Sequence, residues 1–193
     1  MFGKSVISGL FLQARSVRRG ETMNNVPRII TIKWDGPFSL DQLAQFNRSQ
    51  DYGLYQIYGT HNIFGPNSLL YLGKAEEQSF ADRIPAHIEW IEWEPSSNEI
   101  YFGRLCSTEP MTEARDTEWC TDIDVAERLL IYFSSPPYNS KNIHSYGDIT
   151  NVIVINYKKR NRLPIEVSTF YEDTVKNPQW HIYGEESAPN QAL

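Results

Sequence analysis

Arg83 and His87 stand four residues apart in "FADRIPAHIEWI", and Glu127 stands among Ile123, Ala126, Leu130 and Ile131 in "TDIDVAERLLIYF". On a helix, residues four apart share a face, so Arg83 and His87 would meet one another. The guanidinium carries five donors in a planar fork suited to a phosphodiester, and a neighbouring imidazole can orient it or carry a proton. A lone histidine in such a place can equally be a satisfied core or surface residue. Glu127 has apolar partners at i−4, i−1, i+3 and i+4, so a regular helix points its carboxylate along the apolar face, where an unpaired charge is very costly. Either a salt bridge or a rotated helix places it at the rim, or it ligates a hard cation whose other positions are filled by water, as Mg²⁺ often is.

The elements that must position these groups are legible along the chain. "YGLYQIYG" (52–59) and "LLYLGKA" (69–75) are β-rich runs bounded by glycine and joined by "THNIFGPNS", which predicts a hairpin in the middle of a sheet. Period two places Gly53, Tyr55, Ile57 and Gly59 on one face of the first strand, and Tyr71 with Gly73 on one face of the second. A strand glycine leaves room for close approach by a ligand. The lone Gly73-Lys74 is too short a pattern for a phosphate loop. Ser39 with Gln42, and Ser79 with Asp82, are capping-box patterns heading helices in "PFSLDQLAQF" and over 79–91, the second kinked or shortened by Pro85. "RIITIKW" and "EIYFGRLCS" read as strands, 121–133 as a helix stopped by "SSPPYNSKN", and "NVIVINY" with "IEVSTFY" as a second β pair.

At 193 residues, 40% hydrophobic and 13% aromatic, the chain predicts one core. No repeat or long linker divides it. Residues 23–185 read as one domain, 1–22 as a disordered tail or start-site artefact, and 186–193 as a frayed end. No apolar run of about 18 residues predicts a membrane span, and 1–22 lacks a secretory core. Cys106 and Cys120 form neither a disulfide framework nor a zinc or redox motif, which suits a cytoplasmic protein in which both are small packing residues.

The net charge of −6 argues against holding nucleic acid by bulk electrostatics. Residues 1–22 carry +3, leaving −9 on the remainder. Glu76, Glu77, Glu89, Glu92 and Glu94 cluster around the helix of Arg83, as a solvated face or as groups that weaken undirected binding. The strongest basic run is "YKKRNR", with Lys158, Lys159, Arg160 and Arg162: a charged hairpin tip or a phosphate clamp.

Taken together, "GLY" at 53–55, "YLG" at 71–73, Arg83, His87, Glu127 and Asn139 resemble the GIY-YIG nuclease superfamily over about residues 52–142. The Arg-to-His spacing and the asparagine after the glutamate are most similar to its type II restriction-enzyme branch. Leucine replaces isoleucine in both triplets, the 60–68 loop is longer than usual, and Pro85 separates Arg83 from His87. The resemblance implies an α+β fold: a small mixed three-stranded sheet flanked by helices, here with an extra N-terminal strand and helix and a C-terminal β pair. It implies a metal-dependent endonuclease acting on DNA, or an inactive interaction module that kept the fold. Glu127 would hold one Mg²⁺ or Mn²⁺ and Arg83, aided by His87, the scissile phosphate. Tyr55, with Tyr71 as positioner, or Tyr71 itself, would take the proton from the attacking water. Asn139 and Lys74 would support metal geometry and phosphate binding, Lys158, Lys159 and Arg160 would contact substrate, and a homodimer or partner protein could add basic surface. An ordinary Tyr pKa near 10 leaves the phenolate about 4 kcal/mol uphill at pH 7, so Lys74, Arg83 or the metal must lower it, or a relay must carry the proton.

Overall fold

The computed structural model describes residues 26–87, 98–106 and 117–170. Six strands form one sheet: β1 (Arg28–Phe38), β2 (Gly53–His61), β3 (Gly65–Ala75), β4 (Glu99–Cys106), β5 (Val152–Lys158) and β6 (Glu166–Ser168), in the order β3-β2-β4-β1-β5-β6. Only β1 and β5 pair in parallel. The fold is thus mixed α+β, but the expected three-stranded sheet is wrong in size. Its three strands, β3-β2-β4, are one half of a larger sheet, because β1 hydrogen-bonds along both edges and joins β4 to β5.

Alternation along β1 explains the layering. Ile30, Ile32 and Trp34 are buried, and with Leu54, Tyr58 and Leu72 they pack under Ile123, Ala126 and Leu130 of the long helix α2 (Thr117–Ser134). The opposite face of the β2–β4 half buries Tyr55, Ile57, Ile100 and Phe102 beneath Leu43, Phe80 and Ile84. There Phe80 stacks on Phe102 at 4.3 Å, and such ring pairs contribute ~0.5–1.5 kcal/mol beyond area burial. β2, covered on both faces, is buried from Gly53 to Gly59.

The hairpin is not central: β3 is the sheet's outer strand. Both β3 faces are covered near the site, so its sequence reads like a central strand although one edge has no strand partner among the described residues. The strands also run further than expected, leaving only 62–64 between them. Gln42 accepts the Ser39 N–H at 3.0 Å as the capping box predicts, but it heads a 3₁₀ turn (Leu40–Gln45) rather than an α-helix. Ser79 caps the Asp82 N–H, and α1 (Phe80–Arg83) is a single turn, continued as a 3₁₀ turn (Ile84–His87). Pro85 has no N–H to continue the α-helical ladder.

Cys106 is exposed and so is not the packing residue expected, whereas Cys120, half-buried on α2, packs against the main core. Cys106 ends β4, with its sulfur 3.2 Å from the Tyr157 hydroxyl. The second half of the 79–91 helix, Glu89, Glu92 and Glu94, and both chain ends fall outside the described residues. Among the described residues no helix is long and apolar enough to cross a membrane.

Candidate active site

The register of the hairpin sets Tyr55 opposite Gly73 and Ile57 opposite Tyr71. The two tyrosine rings stack with centroids 6.0 Å apart. A Cβ on Gly73 would lie 2.7 Å from the Tyr55 hydroxyl oxygen and 2.7 Å from Cε1 of Tyr71. Only glycine lets the Tyr55 ring cross the neighbouring strand. The close approach read from that glycine is therefore made by the protein's own phenol, not by a ligand.

Three further groups arrive from separate elements. Arg83, exposed at the end of α1, donates to the Tyr55 hydroxyl. Glu127 comes from α2, which packs on the other sheet face, so the groups meet at the outer strand β3. Lys74 projects from β3 between Glu76 at 2.7 Å and Asp124 at 2.9 Å. Asp124 also accepts from Arg128 at 3.3 Å, and Arg128 donates to the Tyr146 carbonyl at 2.6 Å. Lys74, Glu76, Glu77, Gln78 and Arg83 line a cleft of about 360 Å³.

The electrostatics single out Glu127. Burial, reinforced by Asp124 and Glu76, pushes its carboxyl up to about 7 against the pull of Lys74 and Arg83. Among the described residues no salt bridge closes on it. Lys74 behaves oppositely: burial works to lower its pKa, but Glu76 and Asp124 outweigh it and raise it to about 12. It is a fixed countercharge in the cleft wall, already paired twice. Asp124 is a site residue that sequence reasoning passed over; its only signal is its place three residues before Glu127, where a carboxylate reads as solvated surface.

Both phenols are shifted upward. Burial dominates at Tyr55, aided by Tyr71 and Glu127 and opposed by Arg83. At Tyr71 burial and the Glu127 charge outweigh Arg83 and the hydrogen bond from Tyr55. The cations expected to lower a tyrosine therefore do not prevail. Tyr55 is fully buried, whereas Tyr71 is only half-buried.

Other expected residues lie elsewhere. Asn139 accepts the Leu72 N–H at 3.0 Å and donates to the Leu72 carbonyl at 2.8 Å. Beside it the Tyr138 N–H donates to the Leu70 carbonyl at 3.0 Å. This clamp shields the edge of β3 that pairs with no described strand, where unpaired backbone is a liability. The amide is thus occupied by backbone and not directed at a metal. Asn139→Ala is expected to cost about 2–4 kcal/mol, since it strands two buried backbone groups at ~1–3 kcal/mol each, lowering the urea midpoint. An unchanged midpoint would show that the clamp carries no stability.

His87 closes the 3₁₀ turn, and its side chain falls outside the described residues. Lys158 shares a row with Lys74 through Trp34, Gly103 and Leu54, four strand spacings or about 19 Å away. Lys158 and Lys159 are exposed there, while Arg160 donates to the carbonyls of Leu163 and Asn161, bracing its own turn. These three are not brought to the cleft.

Among the described residues no group of three or more His, Cys, Asp or Glu side chains is arranged to hold a metal ion. A divalent cation here would rest on Glu127 with water at its other positions, which hard cations accept. The half-buried carboxylate, with no salt bridge among the described residues, fits that use. Comparison with known proteins adds no relative: no family model, no curated protein and no solved structure matches the chain.

Proposed function

We propose that this chain is a metal-dependent endonuclease that hydrolyses phosphodiester bonds, with DNA as the favoured substrate class, at the outer edge of β3. The convergence of Tyr55, Tyr71, Arg83 and Glu127, from four elements and both sides of the sheet, beside the polar cleft that Arg83 and Lys74 line supports this reading. A divalent cation on Glu127 would supply Lewis-acid stabilisation of charge on the phosphate and leaving oxygen. Arg83 has donors beyond the one given to Tyr55, and its exposed fork can hold non-bridging phosphate oxygens.

Of the two phenols, Tyr71 is the one that water can reach, so it is assigned to the attacking water. Tyr55, sealed behind it and bonded to both Tyr71 and Arg83, positions the pair. The negative charge of Glu127 helps raise both phenols. Neutralising that charge brings both down, which couples the acid to the base.

The test is nicking of supercoiled plasmid, and cleavage of a structured RNA, in Mg²⁺ or Mn²⁺. Loss of a general base costs ~10²–10⁴ in rate, so Tyr71→Phe should fall by that factor and Tyr55→Phe by less. No cleavage of either substrate by the wild type, or cleavage that survives Glu127→Ala, would sink the proposal. One site makes one cut, so double-strand breaks would require two chains.

A further inference from the structure

A second cavity, of about 410 Å³, opens where α2 ends beside the β2–β3 hairpin tip. Its walls are mixed, with Phe64, Leu69, Phe133 and Pro137 set among Ser68, Ser134 and Ser135. Phe64 is 62% exposed and Phe133 37% exposed, large rings left open to water on one concave surface. Phe64 is held in place, stacked on His61 with centroids 4.7 Å apart, while Nδ1 of that histidine accepts the Ile63 and Phe64 N–H groups at 3.2 and 3.3 Å. Ser134, also in the lining, has a buried hydroxyl with no hydrogen-bond partner among the described residues.

The charge at this cavity is one-sided. Arg162 lines it, with one long contact to the Pro66 carbonyl at 3.4 Å, and no acidic side chain does. Lys158, which ends β5, and Lys159, which opens the loop that carries Arg162, are exposed, and among the described residues no carboxylate forms a salt bridge with any of the three. The site cleft, by contrast, holds Glu76 and Glu77. Stacking rings beside unpaired cations are what single-stranded nucleic acid requires: a face for each base and a positive charge for its phosphate.

Two rulers place the cavity relative to the proposed cut. Along α2, Glu127 to Phe133 is about 9 Å at 1.5 Å per residue. Along β3, Leu69 to Lys74 is about 17 Å at 3.4 Å per residue. The cavity therefore lies within a few nucleotides of the proposed cut along an unpaired strand.

We propose that this cavity receives an unpaired nucleobase of the substrate strand, stacked against Phe64 with its phosphate on Arg162, a few nucleotides from the scissile bond. The inference deepens the nuclease reading and rests on it for the identity of the strand. It places the basic loop in substrate binding without bringing that loop to the cleft, and it explains how an acidic protein could hold nucleic acid by stacking more than by net charge.

The test is fluorescence anisotropy of a 5′-labelled octathymidylate on full-length Glu127→Gln protein in EDTA, which separates binding from metal and from cleavage. Phe64→Ala removes an exposed ring and is expected to weaken binding about 5- to 100-fold, the range for loss of one stacking partner. Arg162→Ala is expected to weaken it and to flatten the salt dependence by about 0.7 in log–log slope. Ile29→Ala, an equally exposed apolar change on another part of the sheet, should bind as the parent does. Unchanged affinity in Phe64→Ala overturns the inference even if the plasmid assay shows cleavage. Absence of oligonucleotide binding also overturns it and leaves the cavity to a peptide. The predicted losses without cleavage by the wild type would keep the base site and retire the nuclease.

Discussion

Glu127→Gln is expected to abolish metal-dependent cleavage and, above neutral pH, to make the metal-free protein more stable. The first effect is set by the loss of an anchored cation, about 10²–10³-fold or more for removal of a preorganised electrostatic group. The second follows from linkage. The carboxyl titrates at about 7 in the folded chain against an ordinary 4.5, so between these values the folded state holds the proton more firmly than the unfolded one. Stability therefore declines as pH rises from about 4.5 to about 7 and stays lower beyond. At ~1.36 kcal/mol per pH unit, and discounted for partial solvent access, the penalty is about 2–3 kcal/mol.

Glutamine removes that penalty without changing the shape of the side chain. At pH 8.5 the melting temperature of the variant should exceed that of wild type by about 5–10 °C, given ~2–4 °C per kcal/mol for a chain of this size. At pH 4 the two should coincide. Mg²⁺ should raise the wild-type melting temperature by binding only the folded state, and leave the variant unmoved. Identical melting curves at pH 8.5 would show that Glu127 is well solvated, and with that its reading as a waiting ligand would fail.

Gly73 carries the second large effect. A methyl there would meet the Tyr55 hydroxyl and the Tyr71 ring at 2.7 Å, and Cζ of Tyr55 at 2.8 Å. These atoms belong to rings held by a buried neighbourhood, so they cannot simply swing away. Gly73→Ala is expected to destabilise by about 1–3 kcal/mol, as overpacking does. It should also lower cleavage by about 10²-fold, because a displacement near 1 Å of a reacting group is enough for that. In a Tyr55→Leu background, where no phenol crosses Gly73, the same alanine should cost much less stability. Equal costs in both backgrounds would disprove the crossing geometry, and full activity in Gly73→Ala would disconnect the paired phenols from the reaction.

What could be read from the residues, and what could not, divides along physical lines. Local chemistry was legible: the serine caps, the break at Pro85, the hairpin, and Glu127 as a carboxylate stranded on an apolar stripe. Each depends on neighbours within a turn or two. Strand partnership was not. Nothing in the alternation of β1 says that it will pair on both edges, so the sheet was expected at half its size. β3 reads as an interior strand because periodicity reports which faces are covered and is blind to which edge is free. Asn139 misled for a similar reason: one amide can serve a metal shell or a strand edge with the same atoms, and only coordinates decide. The two phenols were found, but their upward shifts were not, since burial of Tyr55 depends on Phe80 and Phe102 packing from distant segments.

The clamp on Leu72 has a mechanical consequence. Glu127 and Asn139 lie on one continuous stretch of about a dozen residues; the first faces the tyrosines and the second grips the strand that carries Tyr71. Acid and phenol are therefore indexed to each other by chain length, as two marks on the same ruler. Lengthening or shortening that stretch by one residue would throw the marks out of step without substituting any residue of the site.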